Sequence, residues 1–342
     1  MLKHDSSSQG ENPDISFNLL IDALLNMSNP FPPKYLYRLS DLEGDELSQL
    51  KTIWPKIETQ RRLRLIEDLE TLVESNYLVS FDSIFKLGLS DPQAEIRMAS
   101  IRALWECEDT ALIPQFIHIL KYDDAIPTRA QAASGLGHFV LLGEIGKIQE
   151  ESLNDIIDIL LEVLEDKSLS QVSQYALESL GFSSHPKIPQ LIEEAYDTGD
   201  EDWLASSIVA MGRSDDEQWH PMVVDNLNHS DVKVRLMATQ AAGKLVIPDA
   251  IPLLFHLLGD EDDEIQMAAV WSLSEIGGED VRETLENLLE ETEDEEAIEL
   301  IENALDNLIF NEDLEDFNFM DLPQDEDINY SDTDIPDEEQ PA

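Results

Sequence analysis

The chain has a single cysteine, Cys107, in 342 residues, which excludes an internal disulfide and a cysteine-based zinc cluster. A reducing compartment follows, and a cytoplasmic protein is expected. Long apolar runs are missing too: nothing approaches the roughly 18 consecutive residues of a membrane span, and the opening MLKHDSSSQGENPDIS holds no apolar signal core. No membrane partner and no export are therefore expected. Positive charge is scarce, with 21 Lys and Arg against 74 Asp and Glu, for a net charge of −53. Such a surface repels a phosphate backbone, so nucleic acid is not an expected partner. The spacings of GxGxxG, P-loop, HExxH, GxSxG and DxDxDG motifs are absent as well. The residues thus point to no enzyme, with no catalytic, cofactor-binding or metal-ligating set.

The charge is unevenly spread. Residues 34 to 102 hold ten of the 21 basic side chains, including Arg61, Arg62 and Arg64, against twelve acids. Residues 283 to 342 hold 24 acids and no Lys or Arg. A field this polar along the chain steers basic partners toward one end.

What is present is a repeat. A β-branched, aromatic or polar residue, small residues three or four and seven positions on, and often Leu-Gly recur as IRMASIRALW from Ile96, TRAQAASGLG from Thr128, VSQYALESLG from Val172, WLASSIVAMG from Trp203, VRLMATQAAG from Val234 and IQMAAVWSLS from Ile265. Aligned, Ser100, Ala132, Ala176, Ser207, Ala238 and Ala269 fall at intervals of 32, 44, 31, 31 and 31 residues. A period near 30 is the mark of a helical solenoid. Small residues in register let one helix approach the next closely, so Leu at Ala132 or Ala238 should overpack.

Each repeat reads as a signature helix followed by a second helix. Gly137, Gly181, Gly212 and Gly243 stand where a left-handed cap would end the first. Pro114, Pro189, Pro221 and Pro252 suit the first turn of the second. Ahead of the repeats, an apolar run from Ile15 to Leu25, a capped start at Ser40 closing at Pro55, and a helix from about Glu58 to Glu74 read as a divergent cap. The long interval includes residues 141 to 155, either a longer loop or an extension of both helices. The acids 260 to 264 read as a solvated turn opening a helix, with weak Ca²⁺ binding as the alternative. Trp105 and Trp271, in or beside signature helices, read as packing residues.

The organisation expected is a disordered start over 1–14, a helical cap over 15–80, a solenoid over 81–310 and an acidic disordered tail over 311–342. Within the tail, Leu314, Phe317, Phe319, Met320 and Leu322 set apolar side chains among carboxylates. They form a short partner-binding motif, a cap on the last repeat, or incidental hydrophobes in a solubilising tail.

The pattern resembles HEAT-like repeats, in particular the short class found in phycobilisome-lyase-type proteins. Asp231, Val234, Arg235, Ala238, Ala241, Gly243 and Pro252 match that consensus, as do Asp91, Ile96, Arg97 and Pro114. The leader over 39–91 is similar to that of bacterial HEAT-repeat proteins. The resemblance implies an all-α, right-handed α-solenoid of HEAT-like helix pairs. It also implies a ladder between neighbouring repeats formed by Asp91, Arg97, Arg129, Asp231 and Arg235; Ser173, Leu204 and Gln266 lack the Arg, which suggests a softer stack there. HEAT-repeat di-iron hydroxylases carry His-Glu pairs, and none of the seven histidines here precedes Glu.

The function expected is a non-enzymatic scaffold that binds a protein or peptide, with a basic segment in the partner and affinity from the second helices. The alternatives are a bilin-lyase-like enzyme subunit and an acidic chaperone or DNA mimic for basic proteins.

Overall fold

A computed structural model describes residues 15–166 and 170–319, with the backbone alone over 312–319. Among the described residues there are seventeen α-helices and no strand. The residues 1–14 and 320–342, expected to be disordered, and with them Met320 and Leu322, lie outside the described residues. The chain divides into two compact units, one ending at Leu245 and the other beginning at Val246.

The first unit opens with α1 (Phe17–Leu25), α2 (Gly44–Ile53) and α3 (Thr59–Ser75). The start expected at Ser40 lies instead at Gly44, because the Ser40 hydroxyl is engaged with Asp41 and with the Ser80 N–H. Helix pairs follow: α4 (Asp82–Gly88) with α5 (Ala94–Ala103), α6 (Ile113–Tyr122) with α7 (Ile126–Glu144), α8 (Glu150–Leu164) with α9 (Ser170–Leu180), α10 (Ile188–Tyr196) with α11 (Glu201–Arg213), and α12 (His220–Asn226) with α13 (Val232–Lys244). Pro114, Pro189 and Pro221 sit in the first turn of α6, α10 and α12, where a missing N–H leaves no helical bond unmade.

The pairing differs from the order read in the sequence. A second helix packs more on the signature helix that follows it than on the one before, so the hairpin turns are the short acidic links that carry helix caps. Asp200 accepts from the Asp202 and Trp203 N–H groups and Asp231 from the Val234 N–H, each satisfying donors that a helix start leaves open. The signature helices α3, α5, α7, α9, α11 and α13 then pack one on the next, forming a layer of their own.

That layer depends on close approach. Ser100, Ala132, Ala176, Ser207 and Ala238 are all completely buried. The expected glycine caps are something else: Gly137, Gly212 and Gly243 lie inside helices, Gly181 directly after one, and none has a positive φ. A Cβ on Gly181 would stand 2.6 Å from the Ala210 carbonyl oxygen, and one on Gly212 2.9 Å from the Ala241 Cβ. Gly137 faces Ser179 in the same way. These glycines let neighbouring signature helices approach closely, with no room for a Cβ between them.

Residues 141 to 155 lengthen both α7 and α8, and the Leu153 side chain fills the space beside Gly143. The long repeat is thus a taller hairpin and no added loop.

In the second unit, α14 (Ile251–Leu257) pairs with α15 (Asp263–Ile276), and α16 (Glu279–Glu291) with α17 (Glu295–Phe319). Pro252 opens α14, and Ala269 is completely buried in α15. Asp262 caps α15 through the Glu264 and Ile265 N–H groups. Gly277 and Gly278, with φ of 76° and 116°, make the turn into α16, a backbone that side chains resist. Helix α17 runs to Phe319, so 311–319 are helical where disorder was expected. No Pro or Gly interrupts the chain from Glu295 to Phe319, and its acids alone do not break the helix.

Candidate functional site

The residues expected to form a ladder are found in two kinds of contact. Asp91, 2% exposed, accepts from both Arg62 Nε at 2.7 Å and Arg62 Nη2 at 3.1 Å, from Trp54 Nε1 at 2.8 Å and from the Gln93 N–H at 2.9 Å. Its partner is therefore Arg62, which the repeat alignment misses because Leu65 stands where the small residue would be. Arg97 makes a two-point pair with Asp123, 2.7 Å to each oxygen, and meets Asp124 at 2.8 Å. Burial disfavours the charged form of Asp123, yet the Arg97 hydrogen bonds and the Ala125 N–H outweigh it and hold the carboxyl below its ordinary value.

The second contact is local. Arg97 Nη1 donates to the Asp91 carbonyl, Arg129 Nε to the Leu120 carbonyl and Arg235 Nη1 to the His229 carbonyl. Each guanidinium thus ties a signature helix to the turn before it or, for Arg129, to the last turn of the helix before it. Where the Arg is absent, Ser173 donates to the Val163 and Asp166 carbonyls and Gln266 to the Asp260 carbonyl. At those two positions the tie is kept without the Arg, whereas Leu204 has no side-chain donor to make it.

One concavity of the first unit lies over the signature helices. An open groove of about 600 Å³ is lined by Glu70 and Glu74 of α3, Arg102 of α5, Trp105 after it, Ser134, His138 and Leu141 of α7, Phe182 after α9, Arg213 of α11 and Lys244 of α13. Side chains from five helices, α3, α5, α7, α11 and α13, and from the residues after α5 and α9 reach one cavity. None of the second helices, from which affinity is expected, contributes to it.

Its floor and walls are chemically mixed. Trp105 is 60% exposed and Leu141 also meets solvent, so the packing role expected of Trp105 is not what it has. Trp271, in the second unit, is 42% exposed as well. Arg102 is held at 2.6 Å by both oxygens of Glu70, while Glu74 is exposed beside them. His138 stands in the wall with Nε2 buried and without a hydrogen-bond partner among the described residues. Burial lowers its pKa, keeping it neutral near pH 7.

The far wall is basic. Arg213 lies over the Phe182 ring at 4.9 Å and donates from Nη1 to the Glu178 carbonyl at 2.9 Å. Its Nε is buried with no partner among the described residues. Burial lowers the pKa of Arg213 and raises that of Glu178, whose Oε1 accepts from Ser206 Oγ at 2.7 Å. Lys244, whose side chain reaches water, is lowered first by the protein crowded around it and then by the Arg213 charge.

Other candidates resolve into structure. Cys107 donates to Asp82 at 2.9 Å and is raised to about 11, chiefly by burial, so it stays a thiol. Among the described residues no group of three His, Cys, Asp or Glu converges as a metal site, the acids of 260–264 included, and no helix is long and apolar enough to cross a membrane. Of the tail motif, Leu314, Phe317 and Phe319 lie on the last turns of α17.

Residues 221–306 match the family described as HEAT repeats, so that segment carries them. No curated protein matches the sequence. Among solved structures, human deoxyhypusine hydroxylase is 17% identical over 78% of this chain and 96% of its own, with a TM-score of 0.36. The complex of CpcE and CpcF of phycocyanin lyase from Nostoc sp. gives 19% identity, 66% and 94% coverage, and 0.42. Importin beta gives 13% identity over 86% of this chain and 47% of that one, with 0.41. Likenesses at this level carry no argument about activity.

Proposed function

We propose that this protein is a non-enzymatic scaffold that holds a segment of a partner protein in the groove over its signature helices. The observation that carries the reading is a tryptophan, Trp105, 60% exposed in a concavity lined by five helices, beside exposed Leu141 and the Phe182 ring. A large aromatic left open in a concave site is a common anchor for a bound chain. The HEAT repeats of 221–306 support the same class of role, since stacked helix pairs present extended surface. The net charge of −53 favours an overall basic partner through encounter rate, and exposed Glu74 offers a local contact for its Lys or Arg.

The groove holds little that would run a reaction. Ser134 lies one turn before His138 on α7, yet His138 makes no hydrogen bond among the described residues that would activate a hydroxyl.

The test is affinity capture from the native extract by the full chain, by Trp105→Ala and by a chain truncated after Phe319, followed by mass spectrometry. A client kept by the truncated chain and lost from Trp105→Ala supports the groove. A client lost with the tail and indifferent to Trp105 overturns it and moves recognition to the residues beyond Phe319. A client whose capture does not weaken with added salt contradicts the role given to charge.

A further inference from the structure

Resting on the groove reading, we propose that the Arg213 and Lys244 wall receives a carboxylate side chain of the docked segment, so that the partner carries an Asp or Glu beside its apolar anchor. This runs against the net charge of the molecule, which by itself selects basic chains throughout. The local arrangement is different. Arg213 has no acidic side chain within ion-pair distance, and of its donors only Nη1 has a partner among the described residues. Nη1 is committed to the Glu178 carbonyl and the guanidinium plane is set by Phe182. Nε is buried, which leaves Nη2 to donate to one oxygen of a carboxylate.

Lys244 reinforces the site. It lies in the same wall and makes no ion pair, whereas Lys86, Lys121, Lys147 and Lys233 each meet an acid within 3.4 Å. The Glu178 charge acts on both cations, yet its Oε1 is turned to the Ser206 hydroxyl and it makes no ion-pair contact with either among the described residues. Across the cavity, Glu74 is the exposed acid and Glu70 is bound to Arg102. The groove therefore reads a segment with a base at one end, an aromatic or aliphatic residue against Trp105 and Phe182, and an acid at the other.

The test is a displayed library of random twelve-residue peptides panned against the full chain, Trp105→Ala, Arg213→Gln and the surface variant Lys244→Glu, with melting curves confirming each fold. The expected winners carry Asp or Glu near a large apolar residue, lose binding to Trp105→Ala, and weaken by about tenfold on Lys244→Glu or when their own acid is changed to Gln or Asn. Winners that need Trp105 but show no acid, or bind Lys244→Glu as well as the parent, overturn the inference and leave the groove standing. Winners indifferent to Trp105, or no winners at all, overturn both. A winner that tightens only when its Ser or Thr is phosphorylated assigns the wall to phosphate and overturns the carboxylate reading.

Discussion

In the first unit the signature helices α5, α7, α9, α11 and α13 meet one another through Gly, Ala and Ser, while α6, α8, α10 and α12 pack chiefly on the signature helix that follows them. The first layer carries the stack and lines the groove; the second braces it from behind. On the inner layer Trp105 is open within a concavity, and on the outer one Tyr122 is 71% exposed at the end of α6, away from the groove lining. Exposure alone therefore does not mark a binding face. What separates the two is that Trp105 shares a cavity with side chains of five helices, among them His138 and Arg213, each with a buried nitrogen that has no partner among the described residues.

Breaking the inner layer should cost most where a buried charge loses its counterpart. Asp91→Ala leaves Arg62, 4% exposed, without its two-point pair, and the expected loss is about 3 to 5 kcal/mol in urea unfolding. Gly181→Ala, aimed at the seam between α9 and α11, brings a Cβ to 2.6 Å from the Ala210 carbonyl oxygen; about 1 to 3 kcal/mol should be lost, read as a lower midpoint with unchanged slope. A truncation on the outer layer, Gln190→Ala at an exposed position of α10, should fall within about 0.5 kcal/mol. If Gly181→Ala proves as mild, the two layers do not differ as described.

The Arg97 and Asp123 pair gives a pH-dependent version of the same test. Because the folded carboxyl of Asp123 is held below its ordinary value of 3.8, its contribution is complete above that value and is lost as pH falls through the lowered one. Asp123→Asn should therefore be less stable than the parent at pH 7, and the gap should close on acidification below about pH 4. A gap unchanged across that range would show that the Arg97 contact does not depend on the charge of Asp123. The smallest expected effect is Trp105→Ala, within about 0.5 kcal/mol in stability because the side chain is largely outside the core.

Much of the fold is legible in the residues themselves. The register of Ser100, Ala132, Ala176, Ser207, Ala238 and Ala269 gives the helix period and the buried face, and Pro114, Pro189, Pro221 and Pro252 give the starts of the helices between. Two things are hidden for physical reasons. A glycine at a helix end has the same appearance whether it caps the helix or lets another backbone approach, so Gly181 and Gly212 are misread until the neighbouring helix is in place. Arg62 escapes because the ion pair it makes belongs to a repeat whose small residue has become Leu65. The groove is harder still. Trp105, His138, Phe182, Arg213 and Lys244 share no motif and span 139 positions, and only the stacking of successive helices brings them to one cavity. Net charge also misleads locally, since a molecule at −53 places Arg213 and Lys244 in one groove wall.

The central claim is that the inner layer is the binding face. Photocrosslinking tests it most directly, with a benzophenone side chain placed at position 105 in one protein and at position 122 in another, irradiated in the native cell. The account predicts a specific adduct from position 105 and none from position 122. An adduct from position 122 alone, or equal adducts from both, would contradict it.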